Sequence, residues 1–350
     1  MSKTPTVGRA VDWGVAATVG VKLTRAEPPI TDYTREQAFA QLADAARRAE
    51  LPVREVTQLS EGAEIPEARI IDRGQWVRAA TESMRIMTGG SASGPEGLAA
   101  MIAGRLAGAQ TGAVLAFVSS GILGQYDPFS GTSGGELLLV YPNIVATERQ
   151  LRVEPADFRL WVCLHEVTHR VQFRANPWLA DHMSQALAVL TDDAGLDAAD
   201  VSARLVDFIK QQRSGEVDPN SQGVLGVMRI LQNDQQRRAL DQLLVLGTLL
   251  EGHADHVMDA VGPAVVPSVA TIRDRFDARR NRKQSPLQRV IRALLGVDAK
   301  VAQYTRGKKF VDHVVSTAGM ARFNTIWSDA ETLPLPTEID EPQRWIDRVL

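Results

Sequence analysis

Three side chains within seven residues of this chain could do chemistry together. Leu164-His165-Glu166-Val167-Thr168-His169-Arg170 spells H-E-x-x-H inside a pattern that predicts a helix. His165 and His169 are four residues apart, so on a helix they stack on one face. Two imidazoles at that spacing reach one tetrahedral zinc ion. Glu166 stands about 100° further round the helix, beside such an ion and not on it. From there its carboxylate can take a proton from a water on the metal, which is the arrangement of metal-assisted hydrolysis. The plain alternative is a surface helix that happens to carry two histidines. The flanks argue against it. Leu160, Leu164, Val167 and Val171 line the side away from the histidines, and Phe158, Trp161 and Val162 line the near side. A helix apolar on both sides is buried, and a buried, charged Glu166 needs a reason.

A catalytic zinc site needs a third protein ligand and an open position for water. The candidates cluster in Glu251-Gly252-His253-Ala254-Asp255-His256. Helical phase puts Leu240, Leu244, Gly247, Glu251, Asp255 and Met258 on one stripe, with His253 almost opposite Glu251 and His256 between. Glu251 then stands where the pattern expects an apolar residue, and a carboxylate there requires a partner. Glu251 is the favoured third ligand, with His253 or His256 as the alternative. Gly247 would let this helix approach the first one closely. Asp255, one turn after Glu251, could accept the outer ring N–H of a ligating histidine. Tyr304 or His256 could stabilise the oxyanion that develops in amide hydrolysis. Cys163 points to a different helix face from the histidines and reads as a small buried residue.

The elements that must position these groups are mostly helical. A short helix should pack Trp13 down and stop at Pro28-Pro29. Thr34 with Gln37 suggests a capping box for a helix from about 35 to 50. Residues 53–59 and 68–71 are short and β-branched, and read as strands or connectors. Asp72 should cap a helix over 73–87. The small-residue stretch 98–123 reads as a buried helix whose Gly104, Gly108 and Gly112 allow close approach. Residues 125–129 end it, and 130–135 form a loop. Glu136 to Pro142 is the clearest strand, and its edge could receive an extended substrate. The histidine helix should stop before Pro177, and His182 reads as a surface or cap histidine. Further helices are expected over 201–212, from 224, over 236–261, over 287–295, over 310–315 and over 321–327, with Trp345 anchoring the end.

Composition narrows the function classes. Of 350 residues, 44% are apolar and 23% charged, as in a soluble globular protein. The net charge of −3 gives no general pull toward nucleic acid or anionic membrane. The basic run within 273–292 has no interleaved aromatics and reads as a solvated segment, so no nucleic-acid partner is expected. One cysteine permits no intrachain disulfide, which fits a reducing compartment. No signal-peptide pattern opens the chain, and the continuous apolar part of 98–123 is shorter than a bilayer span. The expectation is a cytoplasmic protein without a membrane partner. Residues 1–350 read as one domain: an N-terminal helical part (1–130), a metal-site core (131–262) and a C-terminal helical part (263–350).

His165-Glu166-x-x-His169 followed by Glu251-x-x-x-Asp255 resembles the zincin metallopeptidases of the gluzincin type. In that group a Glu on a second helix is the third ligand, and an Asp four residues on supports a histidine. More of the chain resembles a family of actinobacterial zincin-like hydrolases. The resemblance runs through Val11-Asp12-Trp13, Leu123 to Phe129, Leu138 to Asn143, Leu164 to Phe173, Glu251-Gly252-His253 and Gln303-Tyr304. Members go by the names of zinc-dependent metalloproteases or deazaflavin-coenzyme biosynthesis-associated proteins. The resemblance implies a mainly helical α+β fold, a zincin-like core whose small β-sheet packs on the H-E-x-x-H helix, and Zn2+ as cofactor. Together with the residues it gives the expected function. This is a zinc-dependent metallopeptidase or related amide hydrolase acting on a peptide or small amide, with Glu166 as general base. The alternative is a non-catalytic zincin-like protein that serves as a binding module. The intact Glu166 argues for the enzyme, because a structural zinc site does not need it.

Overall fold

The helix that carries the two histidines lies at the centre of the molecule. The computed structural model describes residues 7–27, 29–59, 66–130, 134–190, 234–280 and 297–350, with side chains omitted at 280 and 297–305. The elements in order are a 3-10 turn (Val7–Ala10), α1 (Trp13–Leu23), α2 (Asp32–Thr57), β1 (Arg69–Ile71), α3 (Arg73–Met87), α4 (Leu98–Ser119), β2 (Gly124–Asp127) and β3 (Glu136–Val140). There follow α5 (Tyr141–Leu151), α6 (Pro155–Ala175), α7 (Trp178–Leu190), α8 (Asp234–Val261), α9 (Val269–Arg280), α10 (Val297–Ala318), the short α11 (Met320–Phe323), a 3-10 turn (Asn324–Trp327) and α12 (Pro342–Val349). This is the expected mainly helical α+β fold with one small sheet. The helices expected over 201–212 and 287–295, and the start expected near 224, lie outside the described residues.

α6 is buried nearly all round, and its sequence shows why. Pro155 opens it in the first turn, where a missing N–H costs nothing. Phe158, Leu160, Trp161, Leu164, Val167, Val171 and Phe173 then cover its whole circumference. α2 packs along one side, α8 along another, and β2 and β3 on a third. Glu50 of α2 binds Arg170 of α6 and also Arg54 one turn on, so the charges inside this contact are paired.

Several boundaries differ from expectation. α2 runs from Asp32, capped by Thr31, whose hydroxyl accepts from the Thr34 N–H. It continues through Pro52 to Thr57, so the stretch expected as a strand is its last two turns. Val53 and Thr57 are fully buried there, and that packing outweighs the hydrogen bond Pro52 cannot make. Asp72 does form a capping box with Gln75. The strand β3 is central, not an edge. β1 pairs with it in parallel through Arg69–Leu138, Ile70–Leu139 and Ile71–Val140. β2 pairs with it antiparallel through Gly124–Leu139, Gln125–Leu138, Tyr126–Leu137 and Asp127–Glu136. The edge beside α6 is therefore β2, a stretch read as the end of a helix. Alternation along β3 sends Leu137 and Leu139 into the main core around α6. Leu138 and Val140 face a smaller cluster with Trp76, Val77 and Leu115.

α1 and α4 pack through glycine. A Cβ on Gly108 would stand 2.3 Å from the Asp12 carbonyl oxygen, and one on Gly112 would stand 2.4 Å from that of Ala16. The glycine stripe thus serves close approach, as expected, but the helix is not buried. Leu98, Ile102 and Leu106 on α4 are 77%, 63% and 62% exposed. By length and composition α4 is also long and apolar enough to cross a membrane, although its continuous apolar run looked too short. Only its inner face is committed to α1.

Candidate metal centre

α6 and α8 cross so that three ligand atoms converge. His165 Nε2 lies 3.2 Å from His169 Nε2 and 3.3 Å from Glu251 Oε2, and His169 Nε2 lies 3.9 Å from Glu251 Oε2. Bonds of about 2.1 Å to a tetrahedral zinc put neighbouring ligand atoms about 3.4 Å apart. The three separations bracket that value. Two imidazoles and one carboxylate are also the chemistry that suits zinc. Among the described residues no other set of three histidine, cysteine or carboxylate side chains gathers this way. His253 and His256, the alternatives for the third position, are not in the cluster.

The charges say the same. Burial lowers the His165 imidazole, but the hydrogen bond and charge of Glu251, with Glu166 and Asp255 adding, hold it up at about 9. A proton is thus held where a cation would be. Both imidazoles are oriented from behind. His165 Nδ1 faces the Met258 sulfur at 3.3 Å, and His169 Nδ1 faces Gln172 Oε1 at 2.9 Å. Asp255 acts on His165 as a nearby charge. The outer-nitrogen position expected for it is taken by Met258.

Glu166 is buried next to the cluster, and burial pushes its carboxyl up to about 7; the His165 charge opposes this and the Glu251 charge adds to it. It lies against β2 at Gly124. A Cβ there would stand 2.6 Å from Glu166 Cγ and 2.8 Å from Cδ, so the edge strand can lie against the carboxyl only because this residue is glycine.

The structure brings Glu251 to the histidines, but not from the apolar surroundings that the helical phase of α8 predicts. Glu251 is only partly buried and Gly247, on the same stripe, is exposed. This is the more open face, as a site with an entry requires. A Cβ on Gly247 would meet nothing within 4 Å, so it is not the contact expected. The close approach is at Gly252, where a Cβ would stand 2.2 Å from the Gly307 carbonyl carbon of α10. His253, almost opposite Glu251 on the helix, is fully buried between Phe323 and Trp327. Its Nδ1 lies 2.9 Å from Gln172 Nε2. His256 holds Asp312 at 2.7 Å through Nδ1, about 140° round the helix from Glu251. Tyr304 is on α10, and its side chain is outside the described residues. His182 is not a plain surface residue: its ring lies against Trp178 and its buried Nε2 has no hydrogen-bond partner. Two residues of the centre were missed. Gln172, at i+3 from His169, had a signal in its spacing; Gly124 had none without the sheet.

A sequence profile of the zincin-like metallopeptidases matches residues 11–346. No curated protein matches the chain. A protein from Chloroflexus aurantiacus, whose crystal structure is described as that of a "putative hydrolase with a novel fold", is 27% identical. The alignment covers 97% of this chain and 98% of that one, with a TM-score of 0.67. With the profile spanning nearly the whole chain and the two-helix centre in place, the chain belongs to the zincin-like metallopeptidase family.

Proposed function

We propose that this protein is a zinc-dependent metallopeptidase or a related amide hydrolase. The supporting observation is the convergence of His165, His169 and Glu251, with the Glu166 carboxyl beside them. These three side chains would hold the metal. Zinc held there supplies a Lewis acid that polarises a carbonyl and acidifies a water. Glu166 does the proton work: it takes a proton from the attacking water and returns it to the leaving nitrogen. Gly124 keeps β2 against that carboxyl. As the edge strand of the sheet that lies beside α6, with β1 at the opposite edge, β2 offers main-chain groups to an extended peptide by strand addition. The substrate class is then an extended peptide or a small amide.

The test is metal content of protein purified without added metal, followed by hydrolysis of a fluorogenic peptide library. The expected result is about one zinc per chain. Glu166→Gln should keep the zinc and lower hydrolysis about 10²–10⁴-fold. A chain that takes up no zinc at micromolar concentration, or a Glu166→Gln variant of full activity, overturns the proposal. Zinc without turnover of any peptide would favour the binding-module alternative.

A further inference from the structure

We infer that Gln172 and His253 form a bridge that holds His169 in the one tautomer whose Nε2 lone pair faces the metal position. The inference rests on the metal reading above and adds two positioning residues to it. Gln172 is fully buried one turn beyond His169. Its amide nitrogen lies 3.1 Å from the Leu250 carbonyl oxygen of α8. A carbonyl only accepts, so this contact fixes which end of the amide is nitrogen. The other end, Oε1, is therefore an acceptor, and it lies 2.9 Å from His169 Nδ1. His169 must carry its proton on Nδ1, which leaves Nε2 as a lone pair directed at His165 and Glu251.

His253 secures the same orientation from the far side. The Gln172 nitrogen donates its second hydrogen toward His253 Nδ1 at 2.9 Å, so that ring nitrogen accepts. The ring's proton sits on Nε2, which is buried with no hydrogen-bond partner, among the rings of Phe323 and Trp327. A buried histidine left with an orphaned N–H costs stability. It is understandable if its other nitrogen has work to do. With both amide hydrogens engaged on α8, Gln172 cannot flip, and a flip would set N–H against the N–H of His169. The bridge thus links α8 to α6 behind the metal position, and it is separate from Glu251, which links them in front.

The experiment is ring nitrogen NMR of the histidines in zinc-free protein, with zinc affinity by chelator competition. The wild-type chain should show His169 as a single Nδ1–H tautomer. Gln172→Met keeps the reach and removes both polar ends. It should give mixed His169 tautomers and about 10–100-fold weaker zinc binding. His253→Leu should shift both readouts in the same direction. His253→Asn, whose amide oxygen can stand where Nδ1 stood, should return them toward wild type, a rescue that a packing role would not show. His169 protonated on Nε2 in the wild-type chain overturns the inference. So does Gln172→Met with unchanged tautomer and zinc affinity. Glu251→Ala separates the two readings, because it should lose zinc while the His169 tautomer stays. If the wild-type chain binds no zinc, the metal reading falls and the tautomer alone decides the bridge. If Gln172→Met does not fold, the wild-type tautomer and the two His253 variants decide it.

Discussion

Single side chains carry much of what is specific to this centre. Gly124 has no room for a methyl group: its Cβ would overlap the Glu166 side chain, which is itself buried. Gly124→Ala should displace the carboxyl, and misplacing a reacting group by about 1 Å costs on the order of 10²-fold in rate. Steady-state hydrolysis should fall while zinc per chain stays at the wild-type value; loss of zinc instead would mean the methyl group moves the ligands. His253 makes a second prediction. Burial, with the charges of His256 and His169, holds its pKa down to about 3, against about 6.5 in an unfolded chain. The unfolded state therefore takes up a proton that the folded state refuses. The corresponding stability is complete above about pH 6.5 and is lost as pH falls toward 3, by about 1.4 kcal/mol per unit. The raised pKa values of His165 and Glu166 act in the opposite direction over this range, so the readout is the difference between wild type and His253→Asn. In denaturant melts in chelator, the wild-type chain should lose roughly 2 kcal/mol relative to the variant between pH 7 and pH 5. Parallel curves for the two would refute the assignment. Neither effect was legible in the residues alone. His165, Glu166 and His169 announce themselves through spacing within one helix. Gly124 and His253 take their roles from contacts with chain more than 40 residues away.

At the scale of elements, the site depends on how closely helices cross. α8 and α10 meet where Gly252 faces Gly307, and a Cβ on Gly307 would stand 2.0 Å from the Thr248 carbonyl oxygen. Gly307→Val should push α10 off α8 and cost about 3 kcal/mol or more through overpacking. Gly252 is next to Glu251, so the same variant should also weaken zinc binding. A variant as stable as wild type would show that the helices can separate without penalty. The α2–α6 contact gives a different test. Arg170 and Glu50 are both almost fully buried. Glu50→Leu leaves the Arg170 guanidinium with the Pro66 carbonyl as its remaining named partner, and breaking such a pair from one side costs about 3–5 kcal/mol. Denaturant midpoints would read the loss. Local sequence did predict α6, α8 and the Asp72 cap, because periodicity and capping are properties of neighbours in the chain. It failed for α2 beyond Pro52, where burial of Val53 and Thr57 outweighs a local breaker.

For the whole molecule, metal and fold should be linked. Zinc that binds only the folded chain stabilises it by about 2.7 kcal/mol at a hundred times its dissociation constant. Chelator should lower Tm accordingly, and Glu251→Ala should remove the zinc-dependent part; a Tm indifferent to zinc in the wild-type chain would count against a folded-state site. The amino-acid sequence by itself determined the helix with its two histidines, the glutamate beside them and the preponderance of helix, and it favoured Glu251 over His253 and His256 as the group to join them. These depend on residue type and on spacing within one or two turns. The tertiary structure decided the rest. It put β3 in the middle of the sheet with β1 and β2 at its edges, because strand order is set by pairing across the sheet. It left one face of α4 exposed, because apolar composition says nothing of which neighbours arrive. On α8 it opened the Glu251 face and buried that of His253, since α6 and α10 flank the helix and burial follows those neighbours, not the helical phase of α8 alone.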